Sequence, residues 1–309
     1  MNEDRILVAN TGDDSLTLKD FKDDSKSKTI FLSKLVGKEI DNDILENSKL
    51  GPYDMIKGEE KNIYITNSYD NSVMKIDMGS EKLLGFIKIG KNPTSIKSFK
   101  GKIYIANSDS NSISVVDEKT FSLIEDISVG ERPTDIQIDE IGLKVFIANG
   151  NCYTINILDL NSEKISSITL TKQPIKMIIE NTRLFILSYK GNGMNNYSNL
   201  SEIEIKDHKT KVSIDLKGIY ANFVKIKGRD LFYLSNVEDG YIYRILIDKE
   251  ISISKIYLGG MPNSIKWNGK ANLYITNILN NELNIFQESN SLNIKNIRVG
   301  KEPNGILLL

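Results

Sequence analysis

The chain has 309 residues, a length that fits either two domains or one array of repeats. Its 40 basic and 41 acidic residues nearly cancel, which argues against a nucleic-acid-binding surface spread over the whole protein, and a hydrophobic content of 40% is typical of a globular chain. The single cysteine, Cys152, excludes an intrachain disulfide and a cysteine-clustered metal centre, and the single histidine, His208, excludes a metal site built from two or three histidines.

The N-terminal residues MNEDRILVANTGDD have neither the basic start nor the uninterrupted apolar stretch of a secretory signal. No run in the chain approaches the roughly 18 apolar residues that a membrane helix needs. We therefore expect a cytoplasmic protein without a membrane span, whereas a leader removed from this chain would place it outside the cytoplasm or on the cell surface.

Three segments with the composition of β-strands come first in the chain. They are ILVAN (6–10), SLTLKD (15–20) and TIFLSKLVG (29–37). An insertion, KEIDNDILENSKL (38–50), follows them, and its Ile40, Ile44 and Leu45 have helical spacing. The insertion therefore predicts a short amphipathic helix.

The prolines mark a repeat over the rest of the chain. They are Pro52, Pro93, Pro133, Pro174, Pro262 and Pro303. Their spacings are 41, 40, 41, 88 and 41 residues, and the spacing of 88 is close to two periods, with Ala221 at the missing proline position. Because a period near 41 residues indicates stacked supersecondary units, the spacing favours one repeat array over two independent domains.

Each repeat contains four short segments rich in β-branched and aromatic residues, separated by turns of Asn, Asp and Gly. The second segment usually ends in an asparagine, as in IYITN, IYIAN and VFIAN, and the fourth usually ends at a glycine. The repeated asparagines are Asn10, Asn67, Asn107, Asn149, Asn236 and Asn277. We expect their side chains to bond their own turns, and four antiparallel strands per repeat predict a propeller blade.

Counting the repeats predicts how the fold closes. Complete blades start near residues 52, 93, 133, 174, 221 and 262, while the unit that starts at 303 contains only PNGILLL. The sequence therefore predicts an all-β fold, a seven-bladed β-propeller of four-stranded antiparallel blades that occupies residues 1–309 as a single domain. Its last blade is completed by residues 1–37, so that the C-terminal strand joins three N-terminal strands and removes the open edges.

The repeat resembles that of the YVTN family of β-propellers, of the YncE-like or surface-layer type. The family's unit runs G-x-x-P-x-x-I, then Y-V-x-N, then S-V-S-V-I-D, and here GKNPTSI, IYIAN and SISVVD match it. The resemblance covers nearly the whole chain and is strongest over 52–165 and 259–309. It implies the propeller fold and leaves the function open, because that family includes surface proteins, periplasmic proteins and many uncharacterised members.

Three departures add length to the repeat, one of them near DDSKSK (23–28), and the other two predict a binding face. Residues 38–50 connect the last strand of one blade to the first strand of the next, and residues 189–200 (YKGNGMNNYSNL) connect a second strand to a third. Both connections lie on one face of a propeller, around the mouth of its central channel, where propellers usually bind ligands. Tyr189, Met194 and Tyr197 are available there as contacts. The alternative is tolerated variation in loop length.

A second set of candidates comes from equivalent positions at the blade starts. They are Asp54, Ser95, Asp135, Lys176 and Ser264. A set of small and acidic side chains with one lysine could hold a cation, a sugar or water molecules at the channel mouth. The alternative is that these side chains satisfy backbone groups at the strand starts.

The remaining candidate residues favour structural interpretations. His208 lies in a predicted turn on the opposite face, and Cys152 has no histidine nearby in the sequence. The acidic pairs, such as Asp13–Asp14, lack the Gly and the terminal Glu of a calcium-binding loop. We find no phosphate loop, dinucleotide fingerprint or nucleophile elbow, and we predict no catalytic residue, no metal site and no cofactor.

Three functions remain open. The favoured one is a non-enzymatic binding or scaffold protein, a monomer that presents the channel-mouth face to a protein or glycan. The alternative is a lyase or hydrolase of a small molecule or sugar that uses channel-mouth carboxylates, with or without a divalent cation. DNA binding would require a local patch of Lys91, Arg132, Lys172 and Lys301, and the net charge disfavours it.

Overall fold

The computed structural model describes residues 5–39, 49–191, 195–289 and 293–309. Within these ranges it contains 28 strands in seven four-stranded antiparallel sheets, the arrangement of a seven-bladed β-propeller. The predicted fold class is confirmed. The residues form two compact units, the first comprising 1–129 and 298–309 and the second 130–297.

The first unit contains three blades. Its strands, numbered in chain order, are β1 (Arg5–Asn10), β2 (Ser15–Asp20), β3 (Lys28–Phe31), β4 (Pro52–Lys57), β5 (Asn62–Asn67), β6 (Ser72–Asp77), β7 (Lys82–Lys88), β8 (Pro93–Phe99), β9 (Lys102–Asn107), β10 (Ser112–Asp117), β11 (Ser122–Ser128) and β28 (Pro303–Leu308). Strands β28, β1, β2 and β3 form the closing blade, β4–β7 the first blade and β8–β11 the second blade.

The closing blade has the predicted three-plus-one composition. Strand β28 pairs antiparallel with β1, with Leu307 opposite Leu7 and Ile306 opposite Val8. Leu7, Val8 and Ile306 are buried, and because consecutive strand residues point to opposite faces, both faces of this strand pair are covered. The C-terminal strand is therefore the terminal strand of a sheet whose other three strands come from the N-terminus.

The third segment of the closing blade differs from the prediction. Strand β3 covers only Lys28–Phe31, and an α-helix, α1 (Leu32–Glu39), occupies most of the segment expected to be a strand over 29–37. Leu32 is fully buried, and Leu35 packs against the same core cluster. Residues three apart lie on the same face of a helix, so a helix allows both side chains to contact this cluster. The helix predicted around Ile40, Ile44 and Leu45 lies outside the described residues.

Helix α1 is preceded by a single 3₁₀ turn over Asp24–Lys26. Among the described residues, none of the helices has both the length and the apolar composition needed to cross a membrane.

The second unit contains four blades. Its strands are β12 (Pro133–Asp139), β13 (Lys144–Asn149), β14 (Thr154–Asp159), β15 (Ile165–Thr169), β16 (Gln173–Glu180), β17 (Arg183–Gly191), β18 (Asn196–Glu204), β19 (Thr210–Lys217), β20 (Tyr220–Lys225), β21 (Leu231–Asn236), β22 (Tyr241–Ile247), β23 (Ile251–Tyr257), β24 (Pro262–Trp267), β25 (Asn272–Asn277), β26 (Glu282–Gln287) and β27 (Asn293–Arg298). Strands β12–β15, β16–β19, β20–β23 and β24–β27 form the third to sixth blades.

The central residues of a blade's second strand are apolar because both faces of the strand are covered. In β21, Phe232 packs with Phe185 of the fourth blade, whereas Tyr233 packs with Leu273 and Ile275 of the sixth blade. Alternate side chains of a strand point to opposite faces, so a strand between two neighbouring blades needs an uninterrupted apolar run. This packing explains the repeated IYIAN-type segments.

The asparagine that ends the second strand has a structural role in its blade. In the second blade, Asn107 is fully buried and its Nδ2 donates to Ser114 Oγ at 2.8 Å and to Ser112 Oγ at 3.3 Å. A Cβ atom on Gly90 would lie 2.6 Å from Asn107 Cγ. Gly90 follows the last strand of the first blade, and it is a glycine because the Asn107 side chain of the second blade fills the adjacent space.

The proline position of the fifth blade is shifted by one residue from the prediction. In the third and sixth blades the proline faces the asparagine that ends the second strand, as Pro133 faces Asn149, and in the fifth blade Tyr220 faces Asn236. Tyr220 rather than Ala221 therefore replaces the proline, and strand β20 begins there. The Tyr220 side chain is buried with its ring 5.1 Å from that of Tyr243, which fixes it at this position.

Candidate functional site

In the first unit, two of the predicted blade-start residues lie in adjacent blades. Asp54 accepts hydrogen bonds from the Met55 N–H at 2.9 Å and, across to the second blade, from the Ile96 N–H at 3.3 Å. Ser95, the residue before Ile96, is fully buried. The Asp54 carboxylate thus joins the inner strands of two blades.

In the second unit, Asp135 makes the equivalent connection between the third and fourth blades. Its side chain is buried, and Oδ2 accepts the Met177 N–H at 2.8 Å and the Gln137 side-chain amide at 3.1 Å. The Lys176 ammonium lies 3.4 Å from Asp135 Oδ1. Ser264, in the sixth blade, donates its N–H to Thr276 Oγ1 at 3.0 Å.

Because the fifth blade is shifted by one residue, one more residue belongs to the set of equivalent blade-start positions. Asn222, which the sequence pattern did not single out, occupies the position two residues after the replaced proline, and its Oδ1 accepts the Phe223 N–H at 2.9 Å. Asp54, Asp135 and Asn222 each accept at least one backbone N–H near a strand start, as the alternative interpretation of this set proposes. A ligand-binding role for the set remains a prediction.

Replacing Asp135 by alanine is expected to lower the free energy of unfolding by about 2 kcal/mol, because the Met177 N–H loses a charged acceptor and Lys176 loses its carboxylate partner. Urea unfolding followed by circular dichroism measures the change. Glu140→Ala, at an exposed carboxylate in the same unit, is the matched control and should change stability by less than about 0.5 kcal/mol. Equal stabilities for the two variants would contradict a linking role for Asp135.

The insertion at residues 189–200 lies in the predicted second-to-third connection and extends both flanking strands. The pairing of β17 with β18 continues through Lys190 opposite Tyr197 to Gly191 opposite Asn196, so both strands are longer than those of the other blades. Tyr189 donates its hydroxyl to Asn196 Oδ1 at 2.9 Å, and Tyr197 is 40% exposed. Met194 lies outside the described residues.

This long hairpin forms one wall of a cleft of about 400 Å³ in the second unit. The opposite wall is the second-to-third turn of the fifth blade with the start of β22. The described residues that line the cleft are Asn195, Asn196, Lys217, Gly218, Asn236, Glu238, Asp239 and Tyr243. None of the eight predicted site residues is among them, although Tyr189 contacts the lining through Asn196.

Hydrogen bonds hold the cleft side chains in place. Asn236 Oδ1 accepts the N–H groups of Glu238 at 2.9 Å and Asp239 at 3.1 Å. The Tyr243 hydroxyl donates to Asp239 Oδ2 at 2.7 Å, and Asn196 Nδ2 donates to Glu238 Oε1 at 3.3 Å, across the cleft. The hairpin and the turn are therefore joined by a direct side-chain contact.

The aromatic side chains beneath the cleft are neutral at physiological pH. Burial and the hydrogen bond to Asp239 raise the pKa of Tyr243 above its ordinary value. Burial raises the pKa of Tyr220 to about 12, against hydrogen bonds that lower it. The charged groups of the lining are then Lys217, Glu238 and Asp239, which give the cleft one positive and two negative side chains.

The acidic turn of the fifth blade was not recognised from the sequence because every blade has a polar turn at this place. Val237, Glu238 and Asp239 follow Asn236 as Ser108, Asp109 and Ser110 follow Asn107 in the second blade. What sets this turn apart is its neighbour in space, the lengthened hairpin of the preceding blade. The insertion at 189–200 is the signal in the sequence for this site, but the acidic residues that it contacts lie across the cleft in the next blade.

The other candidate residues have local partners. Cys152 Sγ lies 3.2 Å from the Glu131 N–H and 3.1 Å from Thr154 Oγ1. His208 occupies a turn between β18 and β19 with a positive φ of 58°. Among the described residues, no group of three or more His, Cys, Asp or Glu side chains is placed to hold a metal ion.

Several solved structures have a similar fold. Hydrazine synthase of Kuenenia stuttgartiensis aligns with a TM-score of 0.75 at 16% identity, over 87% of this chain and 91% of that one. A streptogramin B lyase gives a TM-score of 0.69 at 14% identity, over 84% and 88% of the two chains. The WD40 repeats of RRP9 give 0.68 at 11% identity, over 88% and 83%.

No family model and no curated protein matches the sequence. Enzymes and a repeat domain of the WD40 type thus share this architecture at identities at which a likeness shows the fold alone. The chain has the fold of a seven-bladed β-propeller.

Proposed function

We propose that the protein is a non-enzymatic binding propeller that presents the cleft beside the long hairpin, with the blade edges around it, to a protein or glycan partner. The observation that carries this proposal is the cleft itself. It exists because the fourth blade has an extended hairpin that contacts the acidic turn of the fifth blade through Asn196 and Glu238.

The state of the cleft side chains favours binding over catalysis. Asp239 accepts hydrogen bonds on both of its oxygens, from the Tyr241 N–H at 3.1 Å and from the Tyr243 hydroxyl. Tyr243 keeps its proton because its pKa is raised. A general base needs an acceptor directed at the substrate, whereas side chains held by their neighbours form a preorganised binding surface.

The charges of the cleft favour the same partners over nucleic acid. Two carboxylates and one ammonium line it, and phosphate backbones are bound by an excess of lysine and arginine. Of the four basic residues that a DNA-binding patch would use, Lys172 forms an ion pair with Asp215 at 2.6 Å.

The test replaces residues 190–197 by Asn-Gly, which joins the paired residues Tyr189 and Ser198 through a two-residue turn. Wild type and variant are applied to arrays of glycans and of peptides. We expect saturable binding by the wild type, about tenfold weaker binding by the variant, and bound ligands of unchanged mass after prolonged incubation.

His208→Asn is the control, because it alters an exposed turn between β18 and β19 in the same blade and should leave binding unchanged. Circular dichroism confirms that each variant is folded. Equal binding by the shortened variant would refute the role of the hairpin, and multiple turnovers of any ligand would refute the non-enzymatic assignment.

A further inference from the structure

The size and shape of the cleft fit a small polar ligand. Its volume of about 400 Å³ lies at the lower end of the range for small-molecule sites. It is open to solvent at the exposed side chains of Lys217, Glu238 and Asp239. A ligand of one or two sugar rings matches this space, and the longer chain to which those rings belong could continue out of it.

The functional groups of the lining match hydroxyl groups. An amide both donates and accepts hydrogen bonds, and a carboxylate accepts several. Three amides (Asn195, Asn196 and Asn236) and two carboxylates (Glu238 and Asp239) line the cleft. Glu238 Oε1 accepts one hydrogen bond from Asn196, and a carboxylate has further lone pairs for a ligand hydroxyl.

The lining also contains one apolar surface. The Tyr243 ring is half-buried, its centroid lies 5.1 Å from that of the Tyr220 ring at an interplanar angle of 72°, and its hydroxyl is held by Asp239. A tyrosine fixed in this way offers an apolar ring beside polar groups. Sugars have the same mixed character, with hydroxyl groups at the rim of the ring and C–H groups on its faces.

The charge of the cleft favours the binding of neutral sugars over phosphorylated ones. With one ammonium and two carboxylates among the lining residues, the cleft repels a phosphate or a sulfate. The hydrogen bonds that hold Asn236, Glu238 and Asp239 reduce the entropic cost of ordering them around a ligand.

We propose that the cleft between the long hairpin and the acidic turn of the fifth blade binds a neutral saccharide, with Glu238 and its neighbouring amides bonding the hydroxyls and the Tyr243 ring contacting a C–H face. This inference rests on the proposed binding function and names its ligand class. It also predicts discrimination among sugars, because removing a hydroxyl from the ligand leaves a fixed polar side chain without its partner.

Saturation-transfer NMR with the full chain tests the inference. The panel contains glucose, galactose, mannose and N-acetylglucosamine with their disaccharides, glucose 6-phosphate as the charged comparator, and an unrelated peptide mixture. Calorimetric titration then gives the Kd of the saccharide with the strongest signal. We expect a neutral saccharide to bind more tightly than the phosphorylated one, and a deoxy analogue of that saccharide to bind about tenfold more weakly.

Glu238→Gln and Tyr243→Phe are expected to weaken saccharide binding about tenfold, through the lost charged acceptor and the lost anchor of the ring. Asp109→Asn and Tyr153→Phe are matched controls, with an exposed carboxylate and an exposed tyrosine in the corresponding turns of the second and third blades. Their Kd should remain within about twofold of the wild-type value.

The saccharide inference and the proposed binding function are contradicted by different results. Tighter binding of glucose 6-phosphate, or equal Kd values for Glu238→Gln and wild type, would overturn the saccharide inference. Peptide binding at the hairpin without saccharide binding would also overturn it and would leave the proposed binding function intact. Binding of no ligand class would overturn both. The deoxy series on the wild-type protein keeps the test decisive if Tyr243→Phe does not fold.

Discussion

Deleting residues 303–309 is expected to cost the first unit on the order of 5 kcal/mol of unfolding free energy. The deletion removes strand β28, exposes the edge of β1 and takes Leu307 and Leu309 out of the core cluster that contains Leu7. It also removes Asn304, whose Nδ2 donates to Thr11 Oγ1 at 2.7 Å. Urea unfolding measures the loss, and size-exclusion chromatography should show association through the newly exposed edge.

A circular permutant provides the control. Leu309 is linked directly to Met1, and the new termini are placed within residues 41–48, so that β28 and β1 become neighbours in the sequence. We expect the permutant to keep most of the stability of the wild-type chain and to elute as the wild-type chain does in size-exclusion chromatography. A truncated chain as stable as the permutant would show that β28 does not support the closing blade.

Replacing Lys225 by methionine is expected to lower the free energy of unfolding by about 3 kcal/mol. The Lys225 side chain is 1% exposed, and its Nζ lies 2.6 Å from Glu180 Oε2 and 2.8 Å from the Arg229 carbonyl oxygen, which accepts from it. Methionine has a similar volume and no charge, so Glu180 retains Arg183 and the Gly228 N–H as partners but loses its buried cation. Lys227→Met, an exposed substitution in the same segment, should change stability by less than about 0.5 kcal/mol.

The effect of Lys225→Met should depend on pH. Burial opposes the charged form of Glu180, but hydrogen bonds from Lys225, Gly228 and Arg183 lower its pKa below 4.5. A carboxyl group whose pKa falls on folding stabilises the protein above its unfolded pKa, and this contribution is lost as the pH falls through the folded value. The difference between wild type and Lys225→Met should therefore be complete at pH 7 and shrink below about pH 4.5, the unfolded reference value. A difference that stays constant across this range would exclude the ion pair as its cause.

The fold could be predicted from the sequence because every blade repeats the same pattern of residues. Each proline, each IYIAN-type segment and each terminal glycine specifies one place in a blade, so the blade count and the position of β28 followed from spacing alone. The errors occurred where the repeat is interrupted. Over 32–39 the chain forms a helix because Leu32 and Leu35 are buried together, and in the fifth blade Tyr220 takes the position assigned to Ala221.

The site was less predictable because it combines residues from two repeats. The insertion at 189–200 was identified as a departure from the period, but Glu238 and Asp239 lie about 40 residues later in a turn of ordinary length. Their proximity to Asn196 depends on how the fourth and fifth blades pack. A period found in a sequence specifies where each strand lies within its blade, and it does not specify which side chains of adjacent blades reach one another.

Strands β1 and β28 pair in the folded protein although they are synthesised at different times. Asn304 and Thr11, which are hydrogen-bonded, are 293 residues apart in the chain. During synthesis β1, β2 and β3 are made before the other six blades, and β28, their fourth strand, is made after them. Until then the inner edge of β1 is open to pairing with another nascent chain. The arrangement that pairs β28 with β1 in the finished blade therefore leaves the β1 edge unpaired in the nascent chain while the other six blades are made.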